Sequence, residues 1–275
     1  MKIQYLGTAA AEGIPALFCH CDTCKKAAKL GGKNFRTRSQ AIIDGKLLID
    51  WNADTLYHAH RFSLDLASVE TLLITHDHSD HLYPDDFEMR IDGYAHFDDC
   101  KRLNVYGSQD LENKFIDVAV NAAGQYGITV NIVKPFEPFK AGDYTITALK
   151  ARHGTYNPYI YIISDGNKTM LYAHDTGPLI DESYSYIKDN KIVFNLISLD
   201  CTEGIKPINY DSHMNFENCR YTADCFKKDG IITDTTIKIL NHFSHNGGSI
   251  LYDDLSKAVD QYGFKVSYDG MTVEL

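Results

Sequence analysis

His76, His78, Asp80 and His81 fall within six residues, directly after the apolar run Val69-Glu70-Thr71-Leu72-Leu73-Ile74. Imidazole nitrogen and carboxylate oxygen are the donors that borderline divalent metals prefer, and four of them at a strand end make a cradle for such ions. A solvated polar loop is the plain alternative. Further candidates at other strand ends weigh against it: His153 follows Tyr144 to Lys150, Asp175 follows Thr169 to Ala173, and His242 follows Thr236 to Leu240. Together these segments supply five histidines and two aspartates. That is enough for two metals with coordination positions left over for water or substrate.

A second constellation stands apart from the first. Cys19-His20-Cys21-Asp22-Thr23-Cys24 sets three thiols in C-x-C-x2-C spacing, which favours a closed, structural zinc site. A fourth ligand is required, and His20 is the local candidate; three reduced, metal-free cysteines are the alternative. Cys100, Cys201, Cys219 and Cys225 show no ligand spacing and read as ordinary thiols.

These residues need strands and helices to bring them together. Short β-branched or aromatic runs predict strands at Lys2 to Leu6, Gln40 to Ile43, Leu47 to Asp50, Thr71 to Thr75, Leu103 to Tyr106, Thr129 to Val133 and Tyr144 to Lys150. Others are expected at Tyr159 to Ser164, Thr169 to Ala173, Ile192 to Asp200, Thr236 to Leu240 and Val266 to Tyr268. Helical patterns cover Asn52 to Phe62, Ser108 to Ala119, Leu179 to Lys188, Asn215 to Lys227 and Ile250 to Gln261. Two strand-rich stretches, each followed by helices, imply an α/β fold: two sheets face to face with helices outside, a four-layer αββα sandwich. One domain over residues 1–275 accounts for the pattern.

Composition narrows the function. A net charge of -10 argues against gripping long nucleic acid, which needs a basic face to displace counterions. Asp85, Asp86, Glu88, Asp92, Asp98 and Asp99 add negative charge beside the histidine cluster, where a solvated helix and loop is their ordinary role. No apolar run is long enough to span a bilayer, and the opening residues lack the apolar core and cleavage site of a signal peptide. Seven cysteines, an odd number, fit a reducing compartment. The expectation is a cytoplasmic protein whose partner is a small molecule rather than long nucleic acid or membrane, with a homodimer left open.

The motifs closely resemble those of the metallo-β-lactamase superfamily, and within it the phosphoribosyl cyclic phosphodiesterases of the carbon–phosphorus lyase pathway. The resemblance runs through residues 73–81, His153, Asp175-Thr176-Gly177, Leu199-Asp200-Cys201, His213, His242-Phe243-Ser244-His245 and residues 263–271. It implies that His76, His78 and His153 bind one divalent ion, that Asp80, His81 and His242 bind a second, and that Asp175 bridges them. Zinc, manganese or iron would suit these donors. A hydroxide bridging the pair would attack phosphorus in line with the leaving group, with Asp80 and His213 as the catalytic candidates.

His213 would donate a hydrogen bond or proton to the phosphate or departing alkoxide; alternatively, Ser212 or His213 caps the following helix. Asp50, after Leu47-Leu48-Ile49, would accept a ring proton from a ligand histidine, although Trp51-Asn52 departs from the small-residue turn usual there. For the structural zinc, the resemblance points to Cys19, Cys21, Cys24 and His245. The resulting reading is a phosphodiesterase for small cyclic or nucleotide-like phosphate esters. An ester, lactone or thioester hydrolase and a non-catalytic accessory protein resembling pyrroloquinoline quinone synthesis protein B are its rivals. A tRNA 3′-end endonuclease would need a basic arm that the sequence lacks. Substrate walls are expected around Tyr83 to Asp99 and Gly154 to Tyr159, where Tyr156 and Tyr159 could stack on a base or sugar.

Overall fold

The structure, a computed structural model, describes all of residues 1–275 except 92, 97–100, 113, 116–126 and 249. Its strands form two seven-stranded sheets. The first comprises β1 (Lys2–Gly7), β2 (Gln40–Ile43), β3 (Leu47–Ile49), β4 (Thr71–Leu73), β5 (Leu103–Gly107), β6 (Ile128–Ile132) and β14 (Thr272–Glu274), in the order β14-β1-β2-β3-β4-β5-β6. The second comprises β7 (Phe139–Ala141), β8 (Tyr144–Lys150), β9 (Tyr159–Ser164), β10 (Thr169–Ala173), β11 (Phe194–Asp200), β12 (Ile232–Asn241) and β13 (Phe264–Val266), ordered β13-β12-β11-β10-β9-β8-β7.

Strands covered on both faces read as unbroken apolar runs, and β2 to β4 are of this kind. Ile43, Leu47, Ile49 and Leu73 point between the sheets, where they meet Ile146, Tyr161, Met170 and Leu196. Their neighbours Ile42, Leu48, Leu72 and Ile74 point the other way, toward Phe87 and Phe115. Over the second sheet's outer face lie α3 (Asp181–Asp189), α4 (Phe216–Lys228) and α5 (Tyr252–Val259), contributing Ile187, Phe226 and Leu255 to a third apolar cluster. Two mixed sheets between helices make the expected αββα sandwich. No helix among the described residues is long and apolar enough to cross a membrane.

Several elements depart from expectation for local reasons. The segment Asp22–Leu30 is a helix, α1, because Cys21 caps it by accepting from the Cys24 backbone amide; its cysteines read as a ligand loop and hid the helical pattern. α2 begins at Thr55 and runs to Phe62, later than Asn52, whose side chain is occupied with the Ser39 carbonyl and the Asp54 amide. The final strand pairing with β12 is Phe264–Val266, since Gly263 at φ 71° turns the chain into it. β7 and β14 are three-residue edge strands, too short to show a period. Of the expected helix Ser108 to Ala119, residues 110–112 and 114–115 are helical; the rest lies outside the described residues, as do Asp92, Asp98, Asp99 and Cys100.

Pairing is parallel from β3 through β6 and from β10 through β13, so the strands deliver their carboxyl ends to one rim of the sandwich. Tyr161 joins the two sheets there. Fully buried on β9, it donates to the Ile74 carbonyl, 2.6 Å away and two residues before His76. Tyr161→Phe removes this bond while keeping the ring, and should lower unfolding free energy by about 1–2 kcal/mol in denaturant titration.

Candidate metal centre and substrate cleft

Three of the segments turn sharply as they leave their strands. Asp50, Asp175 and His242 have φ of 66°, 53° and 63°, a left-handed conformation that non-glycine residues adopt only when their surroundings hold them. Each turn redirects a side chain from along the sheet into the gap between the sheets. His76, His78, Asp80 and His81 come from the loop after β4, and His153 from the loop after β8. Gly177 lets the loop after Asp175 pass beneath the loop carrying His213, since a Cβ there would lie 1.6 Å from the Asp211 carbonyl oxygen.

Asp175 stands at the centre. Its Oδ2 lies 3.2 Å from His76 Nε2, 3.2 Å from His81 Nε2, 3.4 Å from His153 Nε2 and 3.8 Å from His242 Nε2. Burial raises its pKa, but the surrounding imidazoles more than offset this and hold it well below the usual carboxylate range. His78 presents Nδ1 to the same space, 3.1 Å from His76 Nε2 and 3.2 Å from His153 Nε2. Asp80 Oδ2 lies 3.3 Å from His81 Nε2.

The outward nitrogens are anchored. His81 Nδ1 faces Asp50 at 2.7 Å, His242 Nδ1 faces Thr202 Oγ1 at 2.8 Å, and His153 Nδ1 faces the Ser212 carbonyl at 3.3 Å. Such partners fix the tautomer and aim the remaining lone pair. His81 Nε2, His242 Nε2 and Asp175 Oδ1 are buried without a hydrogen-bond partner. Buried polar atoms are normally satisfied, so orphaned donors converging on one space fit ions better than hydrogen bonds.

Distances test that fit. Zinc–nitrogen bonds of about 2.05 Å place two ligands on a tetrahedron roughly 3.3 Å apart, close to the nitrogen separations above. His76, His78, His153 and Asp175 form one group able to hold a metal, and Asp80, His81, Asp175 and His242 another. A third group contains Asp175, Asp200, His213 and His242, but Asp200 is already engaged. It accepts from the amides of Thr176, Thr202 and Met214 and from Thr202 Oγ1. It is therefore an anchor for His213 and His242, whose Nδ1 atoms lie 3.5 and 3.4 Å from Oδ2.

His213 does not cap α4. Asn215 does, with Asn218 completing a reciprocal capping box, while His213 Nδ1 sits 3.2 Å from Asp175 Oδ1. Burial lowers its pKa, but the hydrogen bond and charge of Asp200 outweigh that and lift it to about 9. His153, by contrast, is pushed down to about 4, mainly by burial, which keeps it neutral and able to ligate. Sequence reading assigned Asp200 no role. Its signal was there: it closes the apolar run of β11 much as Asp50 closes that of β3.

The cysteines form a separate group. His245 Nδ1 lies 3.5 Å from Cys19 Sγ and 3.4 Å from Cys21 Sγ, and Cys24 completes a set able to hold a metal. Zinc bonds of about 2.3 Å to sulfur and 2.05 Å to nitrogen imply a separation of roughly 3.5 Å. Hydrogen bonds from the Cys24 amide and His245 draw the Cys21 thiol down to about 6, toward the thiolate that ligates. Among the described residues His20 belongs to no such group.

Above the first two groups opens a cavity of about 360 Å³, walled beyond them by Glu12, Glu203, Tyr210 and Ser244. Of these four, Ser244 alone lay in a motif the sequence singled out. Tyr156 is almost fully exposed, whereas Tyr159 is 6% exposed with its hydroxyl on the Val133 carbonyl, which removes it as a stacking platform. Asp85, Asp86 and Glu88 lie on a 3-10 helix, Pro84–Arg90.

Comparison with known proteins places this geometry. A family model described as the Beta-lactamase superfamily domain matches residues 46–243. A solved structure described as a new diphosphatase from the PhnP family is 19% identical, covering 100% of this chain and 97% of that one at a TM-score of 0.76. The Zn(2+)-bound PqqB from Methylobacterium extorquens is 16% identical, covering 100% of both chains at 0.72. The octanoyltransferase of Porphyromonas gingivalis (strain ATCC BAA-308 / W83) is 27% identical over 288 residues, 97% of this chain and 53% of that protein. This chain thus spans about half the length of the curated relative it matches. With its αββα sandwich and most of its length under the family model, the chain belongs to the beta-lactamase superfamily and has the metallo-β-lactamase fold.

Proposed function

We propose that this protein is a dinuclear metal-dependent hydrolase acting on small phosphodiesters, cyclic or nucleotide-like. The observation that carries the reading is Asp175 Oδ2 within 3.4 Å of His76, His81 and His153 Nε2, with the unpartnered His242 Nε2 3.8 Å away. His76, His78 and His153 hold one divalent cation, Asp80, His81 and His242 the other, and Asp175 is shared. When bound, zinc, manganese or iron supplies Lewis acidity, which ionises water near neutral pH and stabilises charge on phosphoryl oxygen.

The protein's own groups do the rest. Asp50, Thr202 and the Ser212 carbonyl engage one nitrogen of His81, His242 and His153 respectively, which leaves the other nitrogen of each ring turned inward. Asp200 holds His213 protonated at the cleft wall, where Nε2 is the ring atom left to donate to a departing alkoxide. Cys19, Cys21, Cys24 and His245 hold a structural zinc that braces the segment after His242. None of the six described cysteines is in a disulfide, which is in keeping with a cytoplasmic, reducing location.

A second reading is an acyl ester or thioester hydrolase. It is favoured by the similarity to a protein named for octanoyl transfer, and the same water can attack a carbonyl. Turnover of bis(p-nitrophenyl) phosphate against p-nitrophenyl octanoate and an octanoyl thioester separates them. The first reading expects phosphodiester hydrolysis that chelation abolishes and added metal restores; acyl substrates alone being cleaved would replace it with the second.

His213→Ala should retain both active-site metals while slowing phosphodiester turnover roughly 10²–10⁴-fold. In the unmodified protein, turnover should fall as pH rises through about 9, where His213 loses its proton. Unchanged turnover in the variant would remove His213 from the mechanism. Cys21→Ala should release one zinc equivalent per chain by elemental analysis and lower the melting temperature, leaving the other two metals in place.

A further inference from the structure

The cleft has a charge pattern that its metal ligands do not account for. Among the described residues lining it, the carboxylates beyond the proposed ligands are Glu12 and Glu203, and no lysine or arginine is among them. Phosphoryl-binding sites that hold dianionic groups ordinarily supply cationic side chains to do so. Here the wall carries the opposite sign. Three cations stand around it: Arg152 pairs with Asp211, Arg38 with Asp54, and Lys206, half-exposed on the outer side, comes no nearer than 4.0 Å to Glu203 Oε2.

Both carboxylates are built into place. Glu203, 8% exposed, accepts from the Tyr210 hydroxyl through Oε1, while its backbone amide donates to the Met214 carbonyl, next to His213. Glu12 accepts from Ser244 Oγ, two residues after His242. His242 Nε2, buried and unpartnered, lines the same cavity. A ligand drawn to that centre therefore has fixed negative charge near its non-reacting portion.

We propose that Glu12 and Glu203 are specificity-determining residues that make the cleft select by charge, admitting reacting groups with no more than one negative charge and rejecting phosphomonoester and diphosphate dianions. Carboxylates are also pure acceptors, so they reward a substrate whose non-reacting part offers hydroxyl or amino donors. The inference rests on the metallohydrolase reading above, but holds equally for a monoanionic phosphodiester and a neutral acyl ester. It runs against the activity named for the PhnP-family diphosphatase, whose fold this chain shares.

The test uses the metal-loaded full chain, with metal content measured for every variant. Bis(p-nitrophenyl) phosphate is compared with p-nitrophenyl phosphate for the unmodified protein, Glu12→Gln, Glu203→Gln and the double variant. Inorganic phosphate and dimethyl phosphate are titrated calorimetrically in parallel. The unmodified protein should favour the diester by at least a hundredfold, and the double variant should narrow that ratio tenfold or more and bind inorganic phosphate at least tenfold tighter. Dimethyl phosphate affinity should change little. If neither phosphate ester is hydrolysed, the phosphodiesterase reading fails, and the calorimetric contrast alone decides the charge filter. A preference for the monoester, or unaltered phosphate affinity in a fully metallated double variant, would overturn the proposal.

Discussion

Everything in this molecule answers to one electrostatic demand, a carboxylate kept fully inside the protein among inward-facing imidazoles. Isolated burial of Asp175 would cost several kcal/mol and drive the group neutral. Instead its oxygens face positive or cation-seeking partners, and the carboxyl stays ionised. Asp50 and Asp80 impose the same demand on His81, whose pKa their charge holds well above normal although burial opposes it. Three carboxylates around one ring ask for more positive charge than a proton conveniently supplies. The two dications proposed above would satisfy it, and their binding energy would become part of the folded state's stability.

That demand explains where the backbone is strained. Left-handed residues cost of order 1 kcal/mol or more when they are not glycine, and three of them stand at the ends of β3, β10 and β12. Each is held by a hydrogen-bond partner in a neighbouring strand or loop: Asp50 by the Thr75 amide, His242 by Thr202, Asp175 by the rings it faces. Beneath them runs a buried polar layer in which His174 meets Asn241 at 3.0 Å and Ser198 at 2.7 Å, with Tyr5 donating to Ser198. His174 and Asn241 directly precede Asp175 and His242. The layer thus ties two of the strained turns across the sheet.

Much of this was legible in the sequence because the governing signals are local. The ligand cluster at positions 76–81 is contiguous, and Asp175 and His242 each end an apolar run, so strand ends and donors could be read together. The sandwich followed from β2, β3 and β4, whose unbroken apolar composition requires cover on both faces. What escaped reading depends on tertiary contact. Asp200 looks like any polar residue at a strand end until Met214 and Thr202 fold onto it. Glu12 and Glu203 matter only because loops far apart in sequence enclose one cavity. α1 was hidden by its own cysteines, whose ligand spacing competes with the helical period, and the edge strands β7 and β14 are too short to carry a pattern.

The N-terminal segment shows how the early chain serves the late site. Phe243, next to His242, donates to the Thr8 carbonyl and accepts from the Ala10 amide, so residues 8–10 extend the sheet edge along which His242 emerges. Thr8 is held from its other side by Asp269, which also accepts from the amide and hydroxyl of Thr37. Buried Arg36 reaches the Ser267 carbonyl and lies over the Phe243 ring, 4.3 Å from its centre. His245 then meets Cys19 and Cys21, closing the same segment from outside. His242 is therefore clamped on one side by backbone pairing and on the other by the thiol group, and a metal bound by the cysteines would stiffen a turn that the active-site ion must find already formed. The two proposed metal sites would share one segment, residues 242–245, so the stability of either would be felt by the other.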